Sequence, residues 1–466
     1  MKNLEFNDTI AAISTPPGEG GIGIVRLSGN DALKIVSKIF VARKNKKISS
    51  LRTYTIHYGY IVDKDKNKID EVILSIMRSP RSYTREDVVE INCHSGIVSL
   101  KKILDLVLDN GARLAEPGEF TKRAFLNGRI DIMQAEAVLD IIRAKTELSL
   151  RAAINTLEGN FSKKVNDIRE ELLEVFSILE ASIDFIDEED VPRKNKLDIL
   201  KRLNNIKSHI VRLVKTAKEG KVLRQGIKTV ICGSPNVGKS SLMNALLKDA
   251  RSIVTHIPGT TRDTIEEIVN IKGIPIVLVD TAGINDTDCP VEKEGVRRSH
   301  VSIENSDFVL MVLDHNRKIK KADLEIARKI KDKQNIIIVI NKKDLKKRID
   351  VKKIKGALQK RPVIYTSAIN MSGIDELEEK IKDIIFEGNV PQAGDANTSN
   401  DRQISLLKRG LEDIEEAINL LRKKGIGIEC VSLIVRSSLE KIGEITGHTL
   451  TEKALDRIFS EFCIGK

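Results

Sequence analysis

The chain has 466 residues, 41% hydrophobic and 31% charged, with a formal net charge of +11, which is too long for one ordinary core and enough for two or three domains. Five cysteines, Cys93, Cys232, Cys289, Cys430 and Cys463, form no C-x-x-C pair and no His/Cys spacing suited to zinc, so neither a disulfide framework nor a structural metal is expected and reduced cytoplasm is the natural compartment. The opening MKNLEFNDTI has no apolar signal-like stretch and no window approaches 18 consecutive apolar residues, so a soluble chain, neither secreted nor membrane-spanning, is expected.

In chain order, strand-like runs at 22–27, 71–77 and 88–93 mix with helical ones at 32–40 and 97–108, predicting an α/β domain over residues 1–118. From Thr121 the pattern turns helical. Phe161, Val165, Ile168, Leu172, Val175, Leu179 and Ile183 recur at helix spacing, as do Leu203, Ile206, Ile210 and Leu213. A β-rich run at 227–232 then leads into Gly233, Ser234, Pro235, Asn236, Val237, Gly238, Lys239, Ser240, with a helix predicted over 241–247. Further apolar runs lie at 274–279, 336–340 and 363–365. The polar stretch 388–401, with Pro391 and Gly394, reads as a linker, after which Leu407, Leu411, Ile414, Ile418 and Leu421 resume helix spacing. A short helical tail has little core of its own, so packing it on the earlier helices is the economical solution. The expected organisation is a multidomain chain: the α/β domain, a discontinuous all-α domain at 119–218 and 392–466, and an α/β nucleotide domain inserted at 219–391.

The run Gly233 to Ser240 is a complete phosphate-binding loop in the order strand, loop, helix. Backbone N–H groups and the helix N-terminus face phosphates, Lys239 brings charge to the β/γ-phosphates, and the Ser240 hydroxyl suits Mg²⁺, with Ser241 following. Asp280, Thr281, Ala282, Gly283 ends a predicted strand, placing a carboxylate near the metal shell and a Gly N–H near the γ-phosphate. Asn341, Lys342, Lys343, Asp344 follows another, and an Asp there accepts from the N1–H and exocyclic amine of guanine, neither of which adenine presents. Ser367 and Ala368 sit where GTPases close over the guanine carbonyl. Four motifs in this order predict a GTPase.

The hydrolysis machinery has a gap. Ras-like proteins place a water-orienting Gln after the Asp-x-x-Gly motif, whereas this chain has Ile284, and no arginine finger is identifiable although such a cation is worth about 10³–10⁵ in rate. Asn236 and the segment Thr255, His256, Ile257, Pro258, Gly259, Thr260, Thr261 are places to hold a substitute cation beside the nucleotide. Residues 342–361 carry ten basic and two acidic side chains; a polyanion such as RNA or a solvated helix face accounts for this equally. Aromatic residues are 3% of the chain with no Trp, so RNA contact would lean on charge and shape.

Beyond the GTPase motifs, STPPGEGGIGIVR at 14–26, PGEFTKRAFLNGRID at 117–131, GTTRD at 259–263 and the final Cys463, Ile464, Gly465, Lys466 resemble the bacterial and organellar tRNA modification GTPase family called MnmE or TrmE, over almost the full length. The resemblance implies that K⁺, held by Asn236, Thr255, Ile257 and Thr260, fills the role of the missing finger. Mg²⁺ would take Ser240 and Thr261 with Asp280 in its outer shell, and Glu292 would position the attacking water through a relay. It implies an N-terminal domain resembling tetrahydrofolate-binding modules and forming the homodimer, with Arg26, Glu90, Arg129 and Lys466 around a 5-formyl or 5,10-methylene tetrahydrofolate. It also implies an FAD-dependent partner of the MnmG or GidA type, joined in a heterotetramer that modifies C5 of the wobble uridine of certain tRNAs. Cys463 is either a functional thiol or the apolar end of a packed helix. Two departures stand out: Arg85 where a Gly is expected, and Asn285 where a basic residue is frequent. The rival from another class is a ribosome-assembly GTPase switch, which shares the central loop; the flanking motifs argue against it.

Overall fold

The computed structural model describes residues 8–16, 18–43, 48–184, 192–249, 267–279, 303–358, 361–386, 388, 399–423 and 427–466. The backbone packs into two compact units, Met1–Leu139 with Ile442–Lys466, and Asp140–Lys441.

The first unit contains β1 (Ile10–Ile13), β2 (Gly23–Ser28), α1 (Ala32–Ile39), β3 (Phe40–Ala42), β4 (Thr55–Val62), β5 (Lys68–Met77), β6 (Val88–Cys93), α2 (Ile97–Asp109), β7 (Arg113–Leu114) and α3 (Glu119–Leu126), with α4 (Ile132–Arg143) beginning in it. Its seven-stranded sheet runs β3-β4-β5-β6-β2-β1-β7, antiparallel except for the parallel β1–β7 pair. The predicted run 22–27 matches β2 to within a residue, and the runs 71–77 and 88–93 lie in β5 and β6.

Period-2 alternation decides what each face of this sheet carries. Val25 and Leu27 of β2, Leu74 and Ile76 of β5, and Val89 and Ile91 of β6 share one core with Ile35, Val36 and Ile39 of α1 and Leu100, Ile103 and Val107 of α2. The intervening residues therefore turn to the opposite face. There Arg26 stands directly across from Glu90, and Met77 across from Val88. A slip of one residue in the β2–β6 register would send Arg26 into the apolar core, which the buried face forbids.

The turn between β5 and β6 explains the first departure. Arg85 has φ +61°, in the left-handed region that favours glycine. Its Nη1 donates to the Asn127 carbonyl at 2.8 Å, and Asn127 Nδ2 donates back to the Thr84 carbonyl at 2.7 Å. Arg85→Gly removes a strain of about 1 kcal/mol but loses that hydrogen bond and loosens the unfolded chain by a similar amount. The expected melting temperature of the variant lies within about 3 °C of the parent by calorimetry.

The second unit continues with α5 (Glu147–Leu157), α6 (Asn160–Asp184), α7 (Pro192–Gln225), β8 (Ile227–Cys232), α8 (Lys239–Asp249), β9 (Glu267–Ile271), β10 (Ile274–Val279), β11 (Phe308–Asp314), α9 (Lys321–Ile330), β12 (Ile336–Asn341), α10 (Val351–Ala357), β13 (Val363–Tyr365), α11 (Ile374–Ile385) and α12 (Asp401–Arg422). α13 (Ile428–Thr446) crosses into the first unit, where α14 (Glu452–Phe459) lies. The helix-spaced residues Phe161, Val165, Ile168, Leu172, Leu203, Ile206 and Ile210 are all buried. α12 starts where the polar stretch ends, with Asn400 accepting from the Gln403 N–H at 2.9 Å and the Gln403 side chain accepting from the Asn400 N–H at 3.2 Å, a reciprocal cap. Across α7 and α12, Lys207 pairs with Glu415 at 2.8 Å and Lys221 with Asp401 at 2.5 Å.

The six-stranded sheet runs β13-β12-β11-β8-β10-β9, parallel except for the β9 edge. Its strands are near-continuous apolar runs because both faces are covered. Ile231, Leu310, Val312, Ile337 and Val339 pack on one side, while Val230, Cys232, Val309, Met311, Ile338 and Ile340 pack on the other. Ala152 of α5 and Leu223 of α7 join the first of these cores, so the sheet is seated on the helices that precede it.

Candidate functional site

The connections after β8, β12 and β13 all leave the C-terminal edge of the parallel sheet, the edge where open α/β sheets bind ligands. They carry Asn236 to Ser241, Asn341 to Asp344, and Ser367 with Ala368, so the structure brings together every described residue predicted for the nucleotide. Lys239 opens α8, and its Nζ donates to the Gly233 and Ser234 carbonyls, each at 3.2 Å. The loop is thus wrapped around its own lysine, at a helix N-terminus whose dipole favours anions. Ser234 is held in turn: its hydroxyl donates to buried Asp323, which also accepts from Arg317 Nη2 at 3.2 Å.

Asn341 ties the phosphate loop to the base-recognition loops. It is 2% exposed; its Nδ2 donates to the Val237 and Gly238 carbonyls, each at 3.3 Å. Its Oδ1 accepts from the Ala368 N–H at 3.2 Å and Thr366 Oγ1 at 3.4 Å. Lys342 adds a second tie, donating from Nζ to the Asn236 carbonyl at 2.7 Å and to Asp314 Oδ2 at 2.8 Å. Asn236 and Lys342 both have φ +63°, so the two turns meet in unusual backbone conformations held by this exchange. Asp344 is exposed and accepts from Ser367 Oγ at Oδ1 at 2.5 Å, which orients its carboxylate and leaves Oδ2 for a donor edge such as guanine's. Spacing alone did not reveal these bridges. The only signal was that an Asn heads the base-recognition motif.

A second concave site lies in the first unit. Arg26, Met77, Tyr83, Val88, Glu90, Val138 and Lys466 line a pocket of about 170 Å³. Arg26 donates to Glu90 Oε1 from Nε at 2.8 Å and reaches the Gly465 carbonyl from Nη1 at 3.2 Å. The C-terminal tetrapeptide is pinned beside it: the Phe120 N–H donates to the Lys466 carbonyl at 3.2 Å and the Gly118 N–H to the Cys463 carbonyl at 3.4 Å. Gly465 has φ +90°, and a Cβ there would meet the Ile13 carbonyl at 2.5 Å, so the tail passes this strand only as glycine. Arg129 lies over the Tyr83 ring at 4.7 Å, and Tyr83 OH and Thr121 Oγ1 are 3.0 Å apart. Burial pushes the Tyr83 phenol up, outweighing the Thr121 hydrogen bond and the nearby arginines, so it stays protonated. The structure therefore gathers Arg26, Glu90 and Lys466 in one pocket, with Arg129 on its tyrosine wall. Sequence reasoning missed the wall residues Met77, Tyr83, Val88 and Val138.

Among the cysteines, burial pushes the Cys93 thiol up to about 11 and that of Cys232 up to about 12, which makes both inert. Cys463 is exposed while Phe459 and Phe462 beside it are buried, so the apolar end of the tail is the phenylalanine pair, with ring centroids 5.5 Å apart. Thr255, His256, Ile257, Pro258, Gly259, Thr260, Thr261, Asp280, Thr281, Ala282, Gly283, Asn285 and Glu292 lie outside the described residues.

Comparison with known proteins decides the family. Residues 9–129 match the model described as GTP-binding protein TrmE N-terminus, and residues 132–463 that described as MnmE helical domain. The tRNA modification GTPase MnmE of Bacillus cytotoxicus is 46% identical over 464 residues, covering 99% of this chain and 100% of its own. The chain belongs to the MnmE family. The protein of the same description from Clostridioides difficile is 48% identical over 461 residues, again covering 99% and 100%. Among solved structures, the G domain of the T. maritima FeoB iron transporter is similar over 34% of this chain and 98% of its own, at 28% identity and a TM-score of 0.26. As a member of the MnmE family the chain is a GTPase acting in tRNA modification, with GTP as its substrate. No helix among the described residues is long and apolar enough to cross a membrane.

Proposed function

We propose that this GTPase, activated by K⁺, acts with an FAD-dependent partner to install an aminomethyl-type group, carboxymethylaminomethyl in its full form, at C5 of the wobble uridine of certain tRNAs. The carbon would come from a tetrahydrofolate derivative held in the Arg26–Glu90 pocket. The observation that carries this reading is the convergence of Arg26, Glu90 and the C-terminal Lys466 on one pocket, in a chain whose other site is built for GTP.

The donor set suits a pterin. Glu90 is an acceptor for amide and amine N–H groups, kept oriented by Arg26, and Lys466 is a cation suited to glutamate carboxylates. Met77, Val88 and Tyr83 give flat apolar walls. The pocket is smaller than the roughly 300–1,000 Å³ typical of drug-sized sites, which favours a bicyclic head with the remainder of the conjugate outside. Folate, when bound, supplies the one-carbon unit; the protein's part is to orient the head and exclude water from it.

At the other site, Asn236 would share K⁺ with Thr255, Ile257 and Thr260. Ser240 and Thr261 would hold Mg²⁺, with Asp280 in its outer shell, and Glu292 would position water. Hydrolysis would drive opening and closing of nucleotide domains and would not itself supply the chemistry on the base. The proposed organisation is an N-terminal folate and dimerisation domain at 1–118, a helical domain at 119–218 and 392–466, and a nucleotide domain at 219–391, in a cytoplasmic homodimer that joins its partner as a heterotetramer.

Nucleoside mass spectrometry of total tRNA tests this directly. Deleting the gene is expected to remove C5-aminomethyl-type uridines, with the parent gene restoring them and Arg26→Ala or Asp280→Ala failing to. An unchanged profile in the verified deletion, with those nucleosides present, overturns the proposal.

A further inference from the structure

The nucleotide unit carries a dense cationic face that begins at the base-recognition loop and runs on beyond the GTP site. The connection after β12 and the start of α10, residues 342–353, hold seven cations and two carboxylates. Both carboxylates are engaged locally: Asp344 by the Ser367 hydroxyl and Asp350 by the Lys352 N–H at 3.1 Å. Residues 317–321, after β11, add four cations and no acid. The two connections lie side by side, because the His315 carbonyl accepts from the Arg348 N–H at 2.8 Å and the Ile349 N–H at 3.2 Å, and His315 Nδ1 lies 3.1 Å from the Leu345 carbonyl. Lys346, Lys347, Arg348, Lys352, Lys353 and Lys318 are all exposed, and none forms an ion pair among the described residues. A merely solvated helix face ordinarily alternates sign or pairs its charges at i,i+4; this one does neither.

We propose that this face is the surface on which the nucleotide domain docks the phosphate backbone of tRNA. The inference rests on the tRNA-modification activity but not on the folate chemistry. Unpaired, exposed lysines and an arginine spread over two adjacent connections match a polyphosphate track, where each contact releases a condensed counterion. No aromatic residue interrupts residues 342–353, so recognition there is of backbone and shape, not of stacked bases. The face is also wired to the nucleotide. Lys342, which opens the segment, donates to the Asn236 carbonyl of the phosphate loop, so a shift of either turn is felt by the other.

The test uses the full-length protein and total tRNA, with affinity measured by fluorescence anisotropy between about 50 and 200 mM KCl, the range over which phosphate contacts change affinity most visibly. The variant is Lys346→Gln, Lys347→Gln, Arg348→Gln and Lys352→Gln combined. The control is Lys201→Gln, Arg212→Gln, Lys215→Gln and Lys218→Gln combined, which removes the same charge from exposed positions of α7. The first variant is expected to bind tRNA at least about tenfold more weakly, with the log–log salt slope reduced by about 3, at roughly 0.7–0.9 per lost contact. Its melting temperature and its GTP hydrolysis without RNA should match the parent, and the control should lose less than about twofold in affinity. Unchanged tRNA affinity and slope overturn the proposal. An equal loss in the control reduces the effect to net charge and also overturns it. Weakened binding to heparin with tRNA binding intact assigns the face to some other polyanion and does the same. A protein that docks tRNA here but leaves uridines unmodified upholds this inference while sinking the proposed chemistry.

Discussion

Arg123→Met is expected to lower the melting temperature of the full-length protein's N-terminal transition by about 10 °C. Arg123 is 0% exposed and touches three carboxylates: Asp8 Oδ1 at 2.7 Å, Glu119 Oε1 at 3.0 Å and Glu86 Oε1 at 3.1 Å. Removing one partner of a buried ionic cluster strands the others and costs about 3–5 kcal/mol, at roughly 2–4 °C per kcal/mol for a unit of this size. Arg113 holds Asp8 and Glu119 as well, at 2.7 and 2.6 Å, whereas the ion pair with Glu86 is made by Arg123. The pH dependence follows from the carboxylates. Burial pushes Glu119 up, but hydrogen bonds from Arg113, the Glu116 N–H and Arg123 outweigh it and hold the group below the usual carboxylate range; Asp8 is lowered by the same contest between burial and the two arginines. The folded protein thus binds protons at these groups less readily than the unfolded chain. The stability they contribute is fully present above the ordinary carboxylate pKa of about 4 and is lost as pH falls through the depressed native values. Calorimetry from about pH 7 down to pH 3 should therefore show the gap between parent and variant narrowing in acid. Arg123→Lys should recover less than half the loss, since an ammonium lacks the planar fork that serves three partners. A variant that melts with the parent at neutral pH would show that the cluster contributes nothing net. The consequence reaches the pocket, because Glu86 also accepts from Ser28 Oγ at 2.6 Å and belongs to the turn that carries Tyr83.

Much of the nucleotide unit was readable in the sequence, for a physical reason. Strands buried on both faces are continuous apolar runs, so the stretches at 227–232, 274–279, 336–340 and 363–365 correspond to β8, β10, β12 and β13 within a residue. The first unit was harder. β4 presents Ile56 and Tyr58 to solvent and buries Gly59 and Ile61, so its alternation is not apolar-in and polar-out. β1 reads IAAI, where two alanines carry little strand preference; only pairing with β2 makes it a strand. β3 was absorbed into the preceding helical run, and Phe40 is where the helix stops and the strand begins. Residues far apart in sequence are the least legible of all. Arg26 and Glu90 become neighbours through register, and Lys466 joins them through a helix and a glycine that turns the tail past Ile13. Resemblance could name those residues, but only the sheet explains why they meet. The same holds for Arg85, whose left-handed backbone gives the reason a glycine is expected at that turn.

Gly238→Ala is expected to weaken GTP binding by about 100-fold or more. Gly238 has φ +92°, and a Cβ would run into Asn341 Nδ2, the atom that donates to the Val237 and Gly238 carbonyls. Alanine must therefore adopt a backbone conformation that L side chains avoid, at about 1–2 kcal/mol, and must push aside an amide that makes two hydrogen bonds worth about 1 kcal/mol each. Together these come to about 3 kcal/mol for holding the loop in the shape that receives the phosphates; the free variant relaxes out of that shape, and each 1.4 kcal/mol needed to restore it is tenfold in affinity. Titration calorimetry with GTP and Mg²⁺ gives the loss. A double-mutant cycle separates its two parts. Asn341→Ala alone removes the bridge between the phosphate loop and Ala368, and should also weaken binding by roughly tenfold or more. If the collision is the main defect of Gly238→Ala, then removing the obstructing side chain as well leaves the double variant no worse than the more damaged single one. If backbone strain dominates, the two losses add. An Asn341→Ala variant that binds GTP as tightly as the parent would sink the picture of Asn341 linking phosphate and base recognition.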